Sequence, residues 1–421
     1  MYNFSLDKPL APFSINKYSK NHLLLVDDIS PFSSTRHWLR AFAPYFDGYI
    51  LLSTDAFFGK YLPFKAQATR FTEGLHSSLS AEKISHIHFG EGIRFLDMLT
   101  KHRLVNLRST YQNARVTVFY KNFAFSPTLA NLAEDFSDIY VTQEEMTKNR
   151  KSQLISNVHH MPQPVPYLSP KDLATYHYKY NYKKSVSAVE HVILDNTPRI
   201  RAGVFIGHNH LRDRAEFIKM VSTIMKNYGM SLNVYGMGWK KSYLGDNVNI
   251  FPAVSYRDIP FVMRRHLFVL DDPHMEYCKH ISLTRSCLKL RSAPPFTPTL
   301  CASRCKSYAP NKTWFNDIPL LAMSSKTPLI TPMRELQHKY FPSNFYFGYE
   351  KGKDISSHLV RNKEIMFDYD QIKNYIEFLA SLSDDDPLGE SKAYLEEQIN
   401  ISKRVVDSFS IEAAAKLIAK K

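Results

Sequence analysis

All four cysteines of this 421-residue chain, Cys278, Cys287, Cys301 and Cys305, fall in one short stretch. Thiols crowded in this way bind a metal, close disulfides, or pack as small apolar side chains. The Cys-x8-Cys and Cys-x3-Cys intervals are looser than those of a usual zinc ribbon, and His274 and His280 stand near enough to replace a thiolate. A structural zinc, unpaired buried thiols and disulfides are therefore three readings of one cluster. The same interval, 274–312, carries Lys279, Arg285, Lys289, Arg291, Arg304, Lys306 and Lys312 against the single acid Glu276. It is a basic insert with the charge to meet a polyanion.

A second constellation lies in RAGVFIGHNHLRDRAEFIKM (201–220). An apolar run ends at Gly207, a polar turn of His208 and Asn209 follows, and Arg212 and Arg214 stand where a helix begins. Free backbone N–H groups at a helix N-terminus, together with guanidinium groups, suit a pyrophosphate. Arginine there opposes the helix dipole, so an anionic ligand would account for it. The plainer alternative is a solvated first turn in which Asp213 pairs locally. Gly207 alone is not a GxGxxG fingerprint. Between the two halves, TYHYKYNYKK (175–184) alternates Tyr176, Tyr178, Tyr180 and Tyr182 with polar residues. Period two predicts one extended strand with the rings on one face, either a stacking platform for bases or an ordinary edge strand.

The elements that must position these groups follow from the apolar pattern. At 48.8 kDa and 44% hydrophobic residues the chain is long enough for two domains with sizeable cores. NHLLLVDD (21–28), GYILLSTD (48–55), ISHIHFGEG (84–92), RVTVFYKN (115–122) and DIYVT (138–142) have the look of buried parallel strands, with helical stretches between them. Pro162, Pro164, Pro166 and Pro170 mark a linker. A second alternating series follows: 201–207, a helix over 213–229 ended by Gly229, then 231–236, VNIF, a helix near 259–266, LFVLDD (267–272), and helix, turn and strand over 316–331. Such alternation predicts an α/β protein with two Rossmann-like domains joined by a linker. The boundaries expected are 1–165 for the first domain, 166–197 for a linker, 198–400 for the second domain containing the insert 274–312, and 401–421 for a C-terminal helix.

The formal net charge is +14, which favours a polyanion such as nucleic acid or an anionic membrane surface. The opening MYNFSLDKPLAPF lacks the order of a signal peptide, and no run approaches the roughly 18 apolar residues of a membrane span. A cytoplasmic protein is expected, in a compartment that disfavours disulfides.

In order and spacing, VFIG with Arg212 and Arg214, LNVYG, LFVLDD and LLAMSSKTPLIT resemble the C-terminal half of GT-B glycosyltransferases, and among them the phage DNA β-glucosyltransferases. The resemblance covers about 200–350 well and the first half only in layout. It implies a nucleotide-sugar donor, a UDP-sugar by preference, with its diphosphate on Arg214 and Arg212. It also implies that the loop 251–260, with Tyr256, frames the nucleotide base, and that Arg285 in ISLTR is a further diphosphate ligand. Where most such enzymes have a ribose-binding Glu this chain has Leu320, and Lys326 replaces a usual Gly; Asp317, one helical turn earlier, is the nearest carboxylate.

Transfer needs a base for the acceptor hydroxyl, expected at the C-terminal end of a strand in the first domain. Glu91 after ISHIHFG is the first choice and Asp28, beside Asp27, the second. The phage enzymes' catalytic Asp would fall near Lys121 and Asn122, neither suited to be a base. His88 and the pair His159-His160 are expected to pack. Three functions fit: glycosylation of a modified base in DNA, in a phage-infected cell by the resemblance; glycosylation of a glycan or small acceptor; and nucleic-acid binding on a transferase fold without catalysis.

Overall fold

The computed structural model describes residues 13–15, 22–26, 34–42, 44–45, 48–52, 84–89, 112–120, 136–142, 147, 154–166, 176–178, 181–182, 185–186, 190–192, 199–209, 212–256, 258–271, 317–332, 347–349, 369–381, 400 and 407–420. The chain forms two compact units, Met1–Pro164 with Ser410–Lys421, and Val165–Phe409.

The first unit is built on a seven-stranded sheet. Its strands are β1 (Phe13–Ile15), β2 (His22–Val26), β3 (Gly48–Leu52), β4 (Ile84–Phe89), β5 (Arg115–Tyr120), β6 (Asp138–Val141) and β7 (Val158–His160), in the order β1-β3-β2-β4-β5-β6-β7. Only β1 runs antiparallel, as an edge against β3. The buried parallel strands coincide with the apolar runs, because a strand covered on both faces has no polar side to alternate with. β7 had the composition of linker, yet it pairs in parallel with β6 through Ile139 and Val158.

Helix α1 (Thr35–Phe42) begins after Ser34, whose carbonyl accepts the N–H groups of His37 and Trp38. It buries Trp38, Ala41 and Phe42 against Phe119, Tyr140 and the last helix of the chain, which joins this cluster through Ile411, Ala414, Ala415 and Ile418. Arg115 ties that helix down. One guanidinium nitrogen donates to the Ile418 carbonyl at 2.9 Å and another to the Asp138 carboxylate. His159 Nε2 lies 2.6 Å from the other Asp138 oxygen. Burial pushes the Asp138 carboxyl up, but the hydrogen bonds from Arg115 and His159 outweigh it and hold the group below 3.8. His159 is thus a packing and pairing residue of this unit.

His86 and His88, on one face of β4, are both buried and share the Thr117 hydroxyl, at 2.8 and 2.7 Å. The His88 ring lies 5.3 Å from the Phe42 ring and 5.8 Å from that of Trp38. Burial, then the neighbouring charge of Arg115, lowers His86 to about 3; burial and His86 itself hold His88 well below 6.5. His88 is a neutral core residue.

The second unit carries a parallel sheet of six strands in the order β14-β13-β12-β15-β16-β17. These are β12 (Ile200–Ile206), β13 (Ser231–Tyr235), β14 (Val248–Phe251), β15 (His266–Leu270), β16 (Leu329–Pro332) and β17 (Phe347–Tyr349). Helices α2 (Arg212–Lys226), α3 (Ile259–Arg264), α4 (Asp317–Ser324) and α5 (Tyr369–Ser381) follow strands in the doubly wound pattern, and α6 (Ile411–Lys420) is the helix already described. Helix α2 closes on Gly229 at φ 65, with Met230 N–H returning to the Met225 carbonyl at 3.0 Å, a left-handed cap that glycine adopts at no steric cost. One face of the sheet packs α2 and α5 through Phe217, Val221, Ile372 and Ile376, and the other packs α3 and α4 through Val262, Met263, Leu320 and Leu321.

In the sequence between the strands of the two sheets, β8 (Tyr176–Tyr178) pairs antiparallel with β11 (Glu190–Val192), and β9 (Asn181–Tyr182) with β10 (Ser185–Val186). Tyr176, Tyr178 and Tyr182 lie on these strands, within the segment 175–184 expected to be extended, and Tyr180 lies outside the described residues.

Candidate functional site

In an open parallel sheet, ligands bind beyond the carboxyl ends of the strands, where the strand order reverses. In the second unit that place is between β12 and β15, since β13 and β14 extend one way from β12 while β15 and β16 extend the other. The turn 207–209 leaves β12 at this point and leads to α2.

That turn is laced to the turn 236–239 after β13. Gly207 N–H donates to the Tyr235 carbonyl at 2.9 Å, and Asn209 N–H to the Met237 carbonyl at 2.8 Å. Met237 N–H returns to His208 Nδ1 at 2.9 Å, so the neutral ring keeps its proton on Nε2. The indole of Trp239 donates to the Gly207 carbonyl at 2.8 Å, and Asn209 Nδ2 to the Gly238 carbonyl at 3.2 Å. The approach is too close for side chains. A Cβ on Gly236 would lie 2.0 Å from the Gly207 oxygen, and one on Gly238, at φ 82, would lie 2.8 Å from the Asn209 oxygen.

Arg214 belongs to the same knot. Its guanidinium donates to the His208 carbonyl and lies 5.8 Å from the Phe205 ring, whose other contact is the edge-on Trp239 at 5.7 Å. The residue is half-buried, not the fully exposed helix-start arginine that its position in sequence suggests. Arg212 opens α2. The arrangement is a rigid pair of turns with a cation built into its base, beside the N-terminus of a 15-residue helix. Chemically it suits an anion better than any cation or apolar group.

Across the switch point, Asp271 follows β15 directly. Its side chain is 2% exposed, its N–H reaches the Ile330 carbonyl at 2.8 Å, and the Thr331 hydroxyl donates to Oδ2 at 2.8 Å. Tyr235 stacks on Phe251 with ring centres 4.7 Å apart. Tyr256, in the loop after β14, is buried with Val204, Val254, Ile259 and Leu320, so the loop is anchored by this ring. Asp317 opens α4 and is half-buried, whereas Leu320 lies wholly inside the core. Lys326 has φ 57, and its N–H reaches the Met323 carbonyl while that of Thr327 reaches Ala322, both at 2.9 Å. The turn has kept a glycine's backbone and filled it with lysine.

The structure thus gathers Gly207, His208, Asn209 and Arg214 into one turn system, with Arg212 at the adjoining helix start. Tyr256, in the loop after β14, and Asp317, at the start of α4, belong to other elements of the same unit. Glu91, Asp28, Arg285, Cys278, Cys287, Cys301 and Cys305, with the insert 274–312, lie outside the described residues. Among the described residues no group of His, Cys, Asp and Glu is placed to hold a metal, and no helix is long and apolar enough to cross a membrane. Gly236, Gly238, Trp239 and Asp271 were not singled out from the sequence as site residues. A Gly-x-Gly directly after a strand, GMGW, was the visible trace of the first three.

No protein-family model matches the chain, and no curated protein matches it in sequence. Solved structures do match in fold. One is a glycosyltransferase from Rickettsia africae, 11% identical, with a TM-score of 0.53 over 96% of this chain and 100% of that one. Another is Anabaena Alr3699/HepE, solved in complex with UDP and glucose, also 11% identical, with a TM-score of 0.50 over 96% of this chain and 99% of that one. Likeness at this identity is likeness of fold: the chain is a mixed α/β protein with the parallel-sheet architecture of GT-B glycosyltransferases.

Proposed function

We propose that this chain is a glycosyltransferase that moves a sugar from a nucleotide-sugar onto a hydroxyl acceptor. The observation that carries the reading is the laced turn 207–209 at the strand-order reversal of a sheet whose fold is shared with a protein solved with UDP and glucose. A UDP-sugar is the donor this favours. In this reading backbone N–H groups at the start of α2, with Arg212 and Arg214, face the diphosphate. Arg285 adds a further positive charge, the loop around Tyr256 frames the base, and Asp317 receives the ribose hydroxyls in place of the buried Leu320.

The base is proposed to be Glu91, with Asp28 as the alternative. Their parent strands support this pairing. β2 and β4 are neighbours with Val26 opposite Phe89, and they flank the reversal of strand order in the first sheet. Each acid follows two positions after those paired residues in sequence.

For the acceptor, the net charge of +14 and the basic segment 274–312 favour a modified base in DNA, the phage-type reaction. A second reading, a glycan or other small acceptor at an anionic surface, is favoured by exposed apolar and basic side chains beside the donor turn. The test is UDP release from a panel of UDP-sugars, with and without hydroxymethylated DNA. DNA-stimulated release is the expected outcome, and release stimulated only by a glycan would select the second reading. No release from any donor would remove the transferase reading. For the cysteines we propose a structural zinc; metal analysis of untagged protein would then find near one zinc per chain, and four free thiols without metal would overturn it.

A further inference from the structure

Five large apolar side chains are exposed among the described residues, and two of them, Met237 at 52% and Tyr243 at 65%, stand in one short segment, 237–243. Lys240, Lys241 and Ser242 are exposed between them, while Trp239 is buried beneath. The segment is rigid. Trp239 and Met237 are tied to the turn 207–209, and a single 3-10 turn, Lys241–Tyr243, is closed by Tyr243 N–H to Lys240 and Leu244 N–H to Lys241. From 229 to 245 the sequence holds no acid, and the next one, Asp246, faces Lys226 at 3.8 Å.

We infer that segment 237–243 is a docking lip for an anionic phospholipid surface. Tyr243 has the amphipathic ring that sits at headgroup level, Met237 offers an apolar tip for the acyl boundary, and Lys240 and Lys241 meet the headgroup phosphates. A nucleic acid backbone would use the lysines and leave the exposed methionine without a role. Because the segment is held in place beforehand, little ordering entropy is lost when it docks. The lip is hydrogen-bonded to the proposed donor turn, so docking would hold that turn near the lipid surface. This inference stands with either acceptor reading and is independent of the donor assignment.

The test is flotation of the full chain with phosphatidylcholine vesicles with and without phosphatidylserine. Binding is expected only with phosphatidylserine and weakens with salt. K240Q with K241Q should lower vesicle affinity by roughly thirtyfold, at about 1 kcal/mol per lysine near the surface. Y243S should lower it several-fold, with the loss persisting at high salt. UDP titration of the same variants reads the donor site separately: unchanged UDP binding with lost flotation supports the lip. Wild-type protein that does not float with anionic vesicles overturns it, as do variants that float equally well. Loss of duplex DNA binding in these variants, with flotation intact, would also overturn it and make the segment a nucleic-acid contact.

Discussion

In the first unit the strand order reverses between β2 and β4; in the second it reverses between β12 and β15. The backbone solution is the same, and the residues that follow the strands differ. After β2 and β4 the sequence supplies Asp27, Asp28 and Glu91; after β12 it supplies Gly207, His208, Asn209 and arginines, and after β15 it supplies Asp271 and Asp272. The second reversal is knotted into a turn pair in which the Gly207, Asn209 and Met237 N–H groups bond within the knot and Arg214 donates to the His208 carbonyl. The first is followed by carboxylates. Acids follow both reversals, and only the second adds a glycine-bearing turn with arginines; on the proposed reading that turn meets the anion and the first reversal supplies the base.

The comparison breaks most sharply at Glu91. In the Glu91→Gln variant, turnover should fall about a hundredfold or more while UDP affinity stays at the wild-type value. A normal rate in initial-velocity measurements would move the base to Asp28, where Asp28→Asn is the matching variant. On the other side, Gly236→Ala forces a methyl against the Gly207 carbonyl, at 2.0 Å before relaxation, so the two turns must part. If the turn and the helix start beyond it hold the donor as proposed, UDP affinity should drop at least tenfold by calorimetry. Undiminished affinity would detach the turn from donor binding.

Buried histidines sharpen the contrast in stability. His266 in the second unit is buried, bonded to the Val262 carbonyl and to Asn233, and burial lowers it from 6.5 to about 4. A histidine whose folded pKa lies below its unfolded value contributes stability above the unfolded pKa and loses it as the pH falls toward the folded one. Between pH 6.5 and about 4, His266 should therefore cost on the order of 3 kcal/mol. The first unit has two such groups, His86 and His88, sharing one hydroxyl. It should lose protection before the second when hydrogen exchange is followed from neutral pH down to about 4.5. The reverse order would mean that His86 and His88 titrate near their ordinary values.

Much of the scaffold was legible because central strands such as β6 and β15 are buried on both faces. Runs such as IYV and LFVL then have no polar alternation and can be little else, and Gly229 closes α2 where a glycine was expected. What tertiary contact decides was not legible. The bond from Arg115 to Ile418 spans 303 positions, so no local pattern could show that the last helix belongs with the first sheet. The Trp239 to Gly207 bond joins two turns across a whole helix and strand, and Arg214 looked like a free cation because its acceptor, the His208 carbonyl, is a backbone atom.

The smallest effect concerns the one described non-glycine residue in left-handed backbone, Lys326 at φ 57. It stands at the position past α4 where the cap bonds of Lys326 and Thr327 close, a place that favours glycine. An L side chain there costs about 1–2 kcal/mol, and glycine returns roughly 0.5–1 kcal/mol of that as entropy in the unfolded chain. Lys326→Gly should therefore stabilise the second unit by up to about 1 kcal/mol, a rise of a few degrees in melting temperature. If UDP affinity is unchanged, the strain is incidental and the first reversal remains the place where function limits sequence choice. If the melting temperature rises while UDP affinity falls, the strained lysine is a donor contact. The second unit would then hold phosphate with a charge at a backbone position that favours glycine.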